Sequence, residues 1–525
     1  MPPKKQKKSH AKSWKDVASE AQAHRDATIR NVLGDSEFAV LQSKGPLSDS
    51  QHQITNLKLK ELNKLLITGA ILAEEVVTAF LRRSAVAQQS VNCLTELLGE
   101  RALTRARELD GKHPSKRGPL HGIPISVKSH IGIQNTRMPA GYIAWWNNFS
   151  TKDALVVQIL ERAGAVIHAR TTEPQSMMQL ECTSNLYGTT LNPYNPNLSS
   201  GGSSGGEGAL VAMGGSSIGL GSDVGGSIRV PAAACGIFGL KPTGFRVPCT
   251  GWSSTPPGAD PIPTVLGPLS NDLDGIEMFM ETVLAAESWK VEPALVPLPW
   301  RSVSFDRPIK IGISMHDGTV LPHPPITRTL QELADKLRGL PGFRVMDFVP
   351  YKHDEAWAIA SSLYFTDGGA ADRSVMAESG EPILPLTNWI INETPGVKNL
   401  TRSELEYWLE EREEYRLEYA AAWNSTGTWD ADKGTWDSPM DILICPVMPG
   451  VASRHGTAKY WSYSAVWNLV DYPALAFPAG RVDKDKDAAT CKRIKFMSDH
   501  DRWNWSLCKC HAMFFLSVLT RDSPR

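Results

Sequence analysis

The stretch from Gly201 to Val230, GGSSGGEGALVAMGGSSIGLGSDVGGSIRV, constrains this chain more than any other. Between Gly201 and Ser227, 11 of 27 residues are glycine and 6 are serine, a composition that in isolation suggests a flexible linker. A linker has no reason to interleave Ala209, Leu210, Val211, Ala212, Met213, Ile218, Leu220 and Val224, which can bury a face. The segment therefore reads as a folded, loop-rich site. Its glycines allow tight turns, and the turns present backbone N–H groups and serine hydroxyls to a ligand.

The whole chain supplies the core such a site needs. With 525 residues, 42% hydrophobic and 21% charged, it is long enough for one large domain or two or three ordinary ones. A net charge of -1 argues against a nucleic-acid or acidic-membrane binder, and no apolar run approaches the length of a membrane span. Eight cysteines are scattered along the chain and no apolar leader follows the start, which points to a reducing, cytoplasmic compartment. Residues 1–15 hold six lysines and no acid, and are expected to form a solvated tail.

Periodicity sketches an α/β organisation. Leu62, Leu65, Leu66, Leu72, Val76, Val77, Phe80 and Leu81 recur at helical spacing, predicting at least two amphipathic helices between Leu57 and Leu98. Ile123 to Val127 reads as a short buried strand, Ala154 to Ala163 as a helix, and Ala165 to Ala169 as a second strand. Such alternation predicts a sheet sandwiched between helices. Polar and proline-rich stretches at residues 192–200 and 256–263 mark loops on either side of the glycine region. Asp441 to Pro446 is expected to be one more buried strand, and Leu475 to Pro478 the end of another.

Several chemistries nearly fit the glycine region. Gly219-Leu-Gly221 starts like a dinucleotide fingerprint but lacks the third glycine at its spacing, and no GxxxxGK(S/T) occurs. Gly201-x-Ser203-x-Gly205 matches the elbow of α/β-hydrolases, yet the upstream residues NPYNPNLSS are no strand. For that Ser-His alternative, His316, His353 and His455 are the available bases. No HExxH occurs, and Cys508-Lys-Cys510-His511 lacks a second ligand pair, so no metal is expected. There remains a serine nucleophile activated without histidine. Lys128 closes the apolar run Ile123-Pro-Ile-Ser-Val127, and burial at a strand end would lower its pKa and make a neutral amine available as a base. A lysine snorkelling to the surface fits the same pattern.

Three blocks then occur in order: Gly118-Pro-Leu-His-Gly-Ile-Pro-Ile-Ser-Val-Lys128, Gly201-Gly-Ser203-Ser-Gly-Gly-Glu-Gly and Gly221-Ser222-Asp223-Val-Gly-Gly-Ser227-Ile-Arg229-Val-Pro231. Together they resemble the amidase signature family, in particular its fungal acetamidase and general amidase branch. The likeness extends through Gly236–Gly244, Gly267-Pro268 and Asn468–Pro478, roughly residues 55–480. It implies a Ser-Ser-Lys triad with Ser227 as nucleophile, Ser203 as bridging serine and Lys128 as base. It also implies an oxyanion hole from the backbone N–H groups of Val224, Gly225, Gly226 and Ser227, with no cofactor. Ser204, Ser222, Asp223 and Arg229 would buttress the loop by hydrogen bonds, and Met177 would lie beside the acyl pocket.

The implied fold is a single large α/β domain over residues 16–497, a mixed twisted sheet covered by helices. The implied activity is hydrolysis of the C–N bond of a small or medium carboxamide, a small-molecule substrate, with room for a homo-oligomer. The family also contains a subunit that passes ammonia to an acylated tRNA, and a catalytically silent remnant or binding protein is a further alternative. Two departures stand out. The family pattern carries an acid after the lysine, where this chain has Ser129, and its closing strand after Pro478 has no counterpart here. Residues 498–525 are therefore expected to be an atypical segment that leaves the sheet incomplete.

Overall fold

The computed structural model describes residues 12–41, 47–254, 261–483, 485–487 and 495–508. The apolar run predicted as a strand over Ile123 to Val127 is found one residue further along, as Pro124–Lys128, every residue of which is buried. It lies inside a seven-stranded mixed sheet built from β1 (Leu94–Leu97), β2 (Pro124–Lys128), β3 (Val166–Thr171), β4 (Ile218–Asp223), β5 (Phe238–Lys241) and β6 (Val265–Ser270). A second, three-stranded parallel sheet contains β7 (Ile309–Ile313), β8 (Phe343–Asp347) and β9 (Ile442–Ile444). The seventh strand of the main sheet is β10 (Ala474–Ala476), and the order across that sheet is β1-β3-β2-β4-β6-β5-β10. The strands β3, β2 and β4 run parallel, and the remaining pairs are antiparallel.

Parallel strands must be covered on both faces, and every residue of β2, β3 and β4 is buried. Helices Ala73–Val91 and Gly205–Ala212 pack together over β2 and β3, and Leu155–Arg162 and Leu273–Ala285 pack together against β3 and β6. The main core joins Leu62, Val77, Phe80, Ile125, Val127, Ile167, Leu210, Leu220 and Phe279. Each such side chain contributes about 1.5–3 kcal/mol on burial. Ser126 is polar in the middle of β2, and its hydroxyl donates to the buried carboxyl of Glu207 on helix Gly205–Ala212. Opposite Ser126 in β4 stands Gly219, where a Cβ would come within 2.3 Å of the same carboxyl. The glycine is what lets a buried acid fit behind the sheet.

The predicted helices between Leu57 and Leu98 are Leu59–Thr68 and Ala73–Val91. Other expectations need correction. The strand expected within Asp441–Pro446 is β9, but it sits at the edge of the second sheet, where Ile442 is 46% exposed rather than buried. The fold also starts inside the expected tail. Helix Trp14–Leu33 opens with a capping box between Ser13 and Asp16, and Trp14 packs beside Ile143, Trp146 and Tyr187. Residues 1–11 of that tail lie outside the described residues. At the other end, Asp499–Cys508 is a helix with Asp501 and Trp505 buried, not a segment outside the fold. Asp501 Oδ1 accepts from the Leu321 amide at 3.1 Å, and Ser498 Oγ donates to the Thr319 carbonyl at 2.7 Å. Residues 509–525 are not among those described, and of the predicted loop at 256–263 only residues 261–263 are. Among the described residues no strand follows β10, and no helix is long and apolar enough to cross a membrane.

Candidate active site

Ligands of open parallel sheets gather at the carboxyl ends of the strands. Lys128 is the last residue of β2 and Asp223 the last of its parallel neighbour β4, so the two predicted blocks meet at one such edge. Lys128 does not snorkel. Its side chain is fully buried, and Nζ donates to Ser203 Oγ at 2.6 Å and to Ser222 Oγ at 3.0 Å. Burial pushes its pKa down to about 8, against the opposing pull of Glu173, Cys182, Asp223 and Glu207. At pH 7 about one Lys128 in ten is then a neutral amine, against roughly one in several thousand for an exposed lysine.

The serines reach the lysine because three segments are tied at the backbone. The Gly202–Ser203 peptide is cis. The next amide, of Ser204, donates to the Ser227 carbonyl at 3.0 Å. Ser204 Oγ donates to the Ser222 carbonyl and accepts from the Ser222 amide, both at 3.3 Å. Ser204 thus joins the Ser203 loop, the end of β4 and the Ser227 turn.

Asp223 shapes that turn. Its Oδ1 accepts from the Gly226 amide, Arg229 Nη2 and Asn468 Nδ2, each at 2.9 Å; Oδ2 accepts from the Ile228 amide and Arg229 Nε, each at 3.0 Å. Burial alone would raise its pKa, but the Arg229 guanidinium and these N–H donors hold the carboxyl well below the usual range. Arg229 also donates to the Ser464 carbonyl at 2.9 Å and to Asn468 Oδ1 at 2.6 Å, anchoring the turn to helix Ser462–Leu469. Gly226 has φ +132°, and a Cβ there would come within 2.4 Å of Ser464 Oγ.

The turn's carbonyls fix where its amides point, because C=O and N–H of one trans peptide face opposite ways. Tyr364 Oη donates to the Val224 carbonyl at 2.8 Å, so the Gly225 amide faces away from Tyr364. Ser464 Oγ donates to the Gly225 carbonyl, so the Gly226 amide faces the other way, where it meets Asp223. Of the four amides expected to hold an oxyanion, that of Gly226 is thus engaged inside the loop. Met177 follows Ser176 in a left-handed pair, φ +61° and +64°, and packs half-buried against the apolar cluster of Trp461, Tyr364 and Phe365. Two successive non-glycine residues in that region are strained, a pattern common beside functional sites.

One cluster has no local signature. The carboxylate of Glu173, just beyond β3, accepts from Ser129 Oγ at 2.6 Å, the His130 amide at 3.2 Å and His130 Nδ1 at 2.8 Å. Burial would raise its pKa, but His130 and Lys128 hold it below the usual carboxylate range. The acid missing at position 129 is thus supplied from the neighbouring strand. Behind the sheet, burial pushes Glu207 up to about 8. Tyr364, Ser464 and Asn468 also escaped sequence reasoning as contributors to the turn, since each stands more than a hundred residues from it.

The histidines are placed elsewhere. His455 Nε2 lies 3.0 Å from the Pro196 carbonyl, His353 is buried beside Tyr419 and Trp467, and His316 Nδ1 accepts from the Gly318 amide. Among the described residues none of them bonds Ser203 or Ser227, which removes the base an α/β-hydrolase reading requires. A cavity of about 410 Å³ adjoins the Ser227 turn, with Val224, Tyr364 and Met178 in its lining.

The same arrangement of elements is found in known proteins. Residues 75–497 match the family model described as Amidase. The chain is 35% identical to the acetamidase of Emericella nidulans over 90% of its own length and 88% of that protein. It is 34% identical to amidase 1 of Gibberella moniliformis, covering 97% of this chain and 95% of the other. Among solved structures, fatty acid amide hydrolase superposes with a TM-score of 0.82 at 30% identity, over 94% of this chain and 89% of that one.

Proposed function

Because this chain belongs to the amidase family and is a hydrolase acting on amides, we propose that it cleaves small or medium carboxamides through an acyl-enzyme on Ser227. The observation that carries this reading is the fully buried Lys128, whose Nζ lies 2.6 Å from Ser203 Oγ while the next residue, Ser204, is bonded to Ser227.

Neutral Lys128 takes the proton of Ser203 as Ser203 takes that of Ser227, and the Ser227 oxygen attacks the amide carbonyl. The amides of Val224, Gly225 and Ser227 hold the oxyanion, while that of Gly226 stays with Asp223. One such donor is typically worth about 10²–10³ in rate. The proton then returns from the Lys128 ammonium through Ser203 to the leaving nitrogen, the C–N bond breaks, and ammonia or an amine departs. Water attacks the acyl-enzyme with the same relay as base, releasing the carboxylate and restoring Ser227. Asp223, Arg229, Ser204 and Ser222 position the turn without touching substrate, and Met177 borders the site.

Hydroxylamine competition tests the acyl-enzyme. Amides sharing one acyl group but differing in leaving amine should give the same ratio of hydroxamate to carboxylate, since all pass through one intermediate. Ratios that follow the leaving amine would overturn it.

A further inference from the structure

The cavity beside the Ser227 turn has a composition that selects among amides. Met178, Trp252, Ile262 and Leu363 give it apolar walls, and Val224 and Tyr364 join it to the turn. The cavity's volume of about 410 Å³ falls within the range of small-molecule pockets, about 300–1,000 Å³. Acetamide fills only a small fraction of that. A substrate with a larger apolar body gains roughly fourfold in kcat/KM for each methylene it removes from water there.

Among the described residues, one lining residue is charged. The Glu292 carboxylate accepts from the Cys249 amide at 3.1 Å and the Thr250 amide at 3.0 Å, and among the described residues no basic side chain pairs with it. A carboxylate offers about four lone-pair sites, so two donors leave it with capacity to spare. Its charge attracts a cation or N–H donor and repels an anion.

We propose that this cavity is the pocket for the substrate's acyl body, and that Glu292 selects amides ending in a cation or N–H donor over those ending in a carboxylate. The proposal rests on the reading of amide hydrolysis above. The reaction remains the same and balances as amide plus water to carboxylate plus ammonia.

The test compares acetamide with three primary amides of one shape on the full-length protein: 3-phenylpropanamide and its 4-aminomethyl and 4-carboxy derivatives. We expect 3-phenylpropanamide to exceed acetamide in kcat/KM by about tenfold or more, and the aminomethyl compound to exceed the carboxy compound by about tenfold or more. Glu292→Gln should bring the aminomethyl to carboxy ratio to within about threefold of unity. Ile262→Trp, which fills the cavity, should lower all three aryl amides relative to acetamide in the same protein. Equal turnover of the two charged compounds by the unsubstituted protein overturns the role of Glu292. Acetamide turned over as well as 3-phenylpropanamide overturns the pocket, while amide hydrolysis stands. If no amide is turned over, the underlying reading falls and the pocket falls with it.

Discussion

Lys128 Nζ stands 2.6 Å from Ser203 Oγ, with the lysine side chain withdrawn entirely from water. The contact couples the end of a parallel strand to the glycine-rich loop, and it places an amine with a pKa of about 8 against a hydroxyl. Burial favours the neutral form by about 3 kcal/mol relative to an exposed lysine, which turns a common surface cation into a base usable near neutrality.

A relay of this kind fails as a unit. Lys128→Ala and Ser203→Ala should each lower kcat by several orders of magnitude, and the double variant should lose far less than the product of the two. Steady-state ammonia release from acetamide measures all three. Multiplying losses would mean that the two residues act independently.

The pH profile should follow the lysine. As pH rises through about 8, Lys128 loses its proton and kcat/KM should rise with it. The ionisable groups facing Lys128 are Glu173, Cys182, Asp223 and Glu207, and Glu173 exerts the strongest pull of them. A carboxylate favours the ammonium, so Glu173→Gln should move the rising limb to lower pH. Glu207→Gln should move it less. A limb that stays in place in Glu173→Gln would assign the ionisation to another group.

Glu207 gives the fold a pH signature of its own. Its pKa is about 8 in the folded protein against 4.5 in its absence of partners, so the folded state holds a proton that the unfolded state has released between those values. The stabilisation is fully present below 4.5 and is lost as pH rises through 8. Relative to Glu207→Gln, the unsubstituted protein should therefore lose on the order of a few kcal/mol between pH 5 and pH 8. Lys128, whose folded pKa is lowered, acts in the opposite sense between about 8 and its usual 10.5, which is why the comparison stops at pH 8. Melting curves of the two proteins across that range decide it, and parallel curves would show that Glu207 titrates normally.

The last described helix should matter for stability. Asp501 accepts from the Leu321 amide at 3.1 Å and the Met497 amide at 3.0 Å while fully buried. Asp501→Ala leaves both donors unpaired and should destabilise the protein by about 1–3 kcal/mol per lost partner. An unchanged melting temperature would mean that the helix is dispensable.

Much of this was legible in the chain itself. The strand ending in Lys128 announced itself as an apolar run, and the glycine region betrayed a folded site by the hydrophobic residues among its serines. Ser204 and Asp223 stood inside recognisable blocks, although nothing in the blocks shows that Asp223 gathers amides at Gly226 and Ile228. Tyr364, Ser464 and Asn468 had no signal as supports of the turn, because their contacts arise from tertiary packing across long stretches of chain. Glu173 had no signal either: Ser129 stands where the family pattern carries an acid, but nothing around it pointed to a carboxylate more than forty residues away. The helix at Asp499–Cys508 was missed because family likeness fades there, while its docking depends on backbone groups at Thr319 and Leu321 that no pattern reveals.

The central claim is that Ser227 is the nucleophile, and covalent labelling tests it most directly. A fluorophosphonate probe added to the full-length protein, followed by peptide mapping by mass spectrometry, should place one adduct on Ser227. Ser227→Ala should neither take up the probe nor release ammonia from acetamide above background. An adduct on Ser203 or another residue, or undiminished turnover by Ser227→Ala, would contradict the assignment.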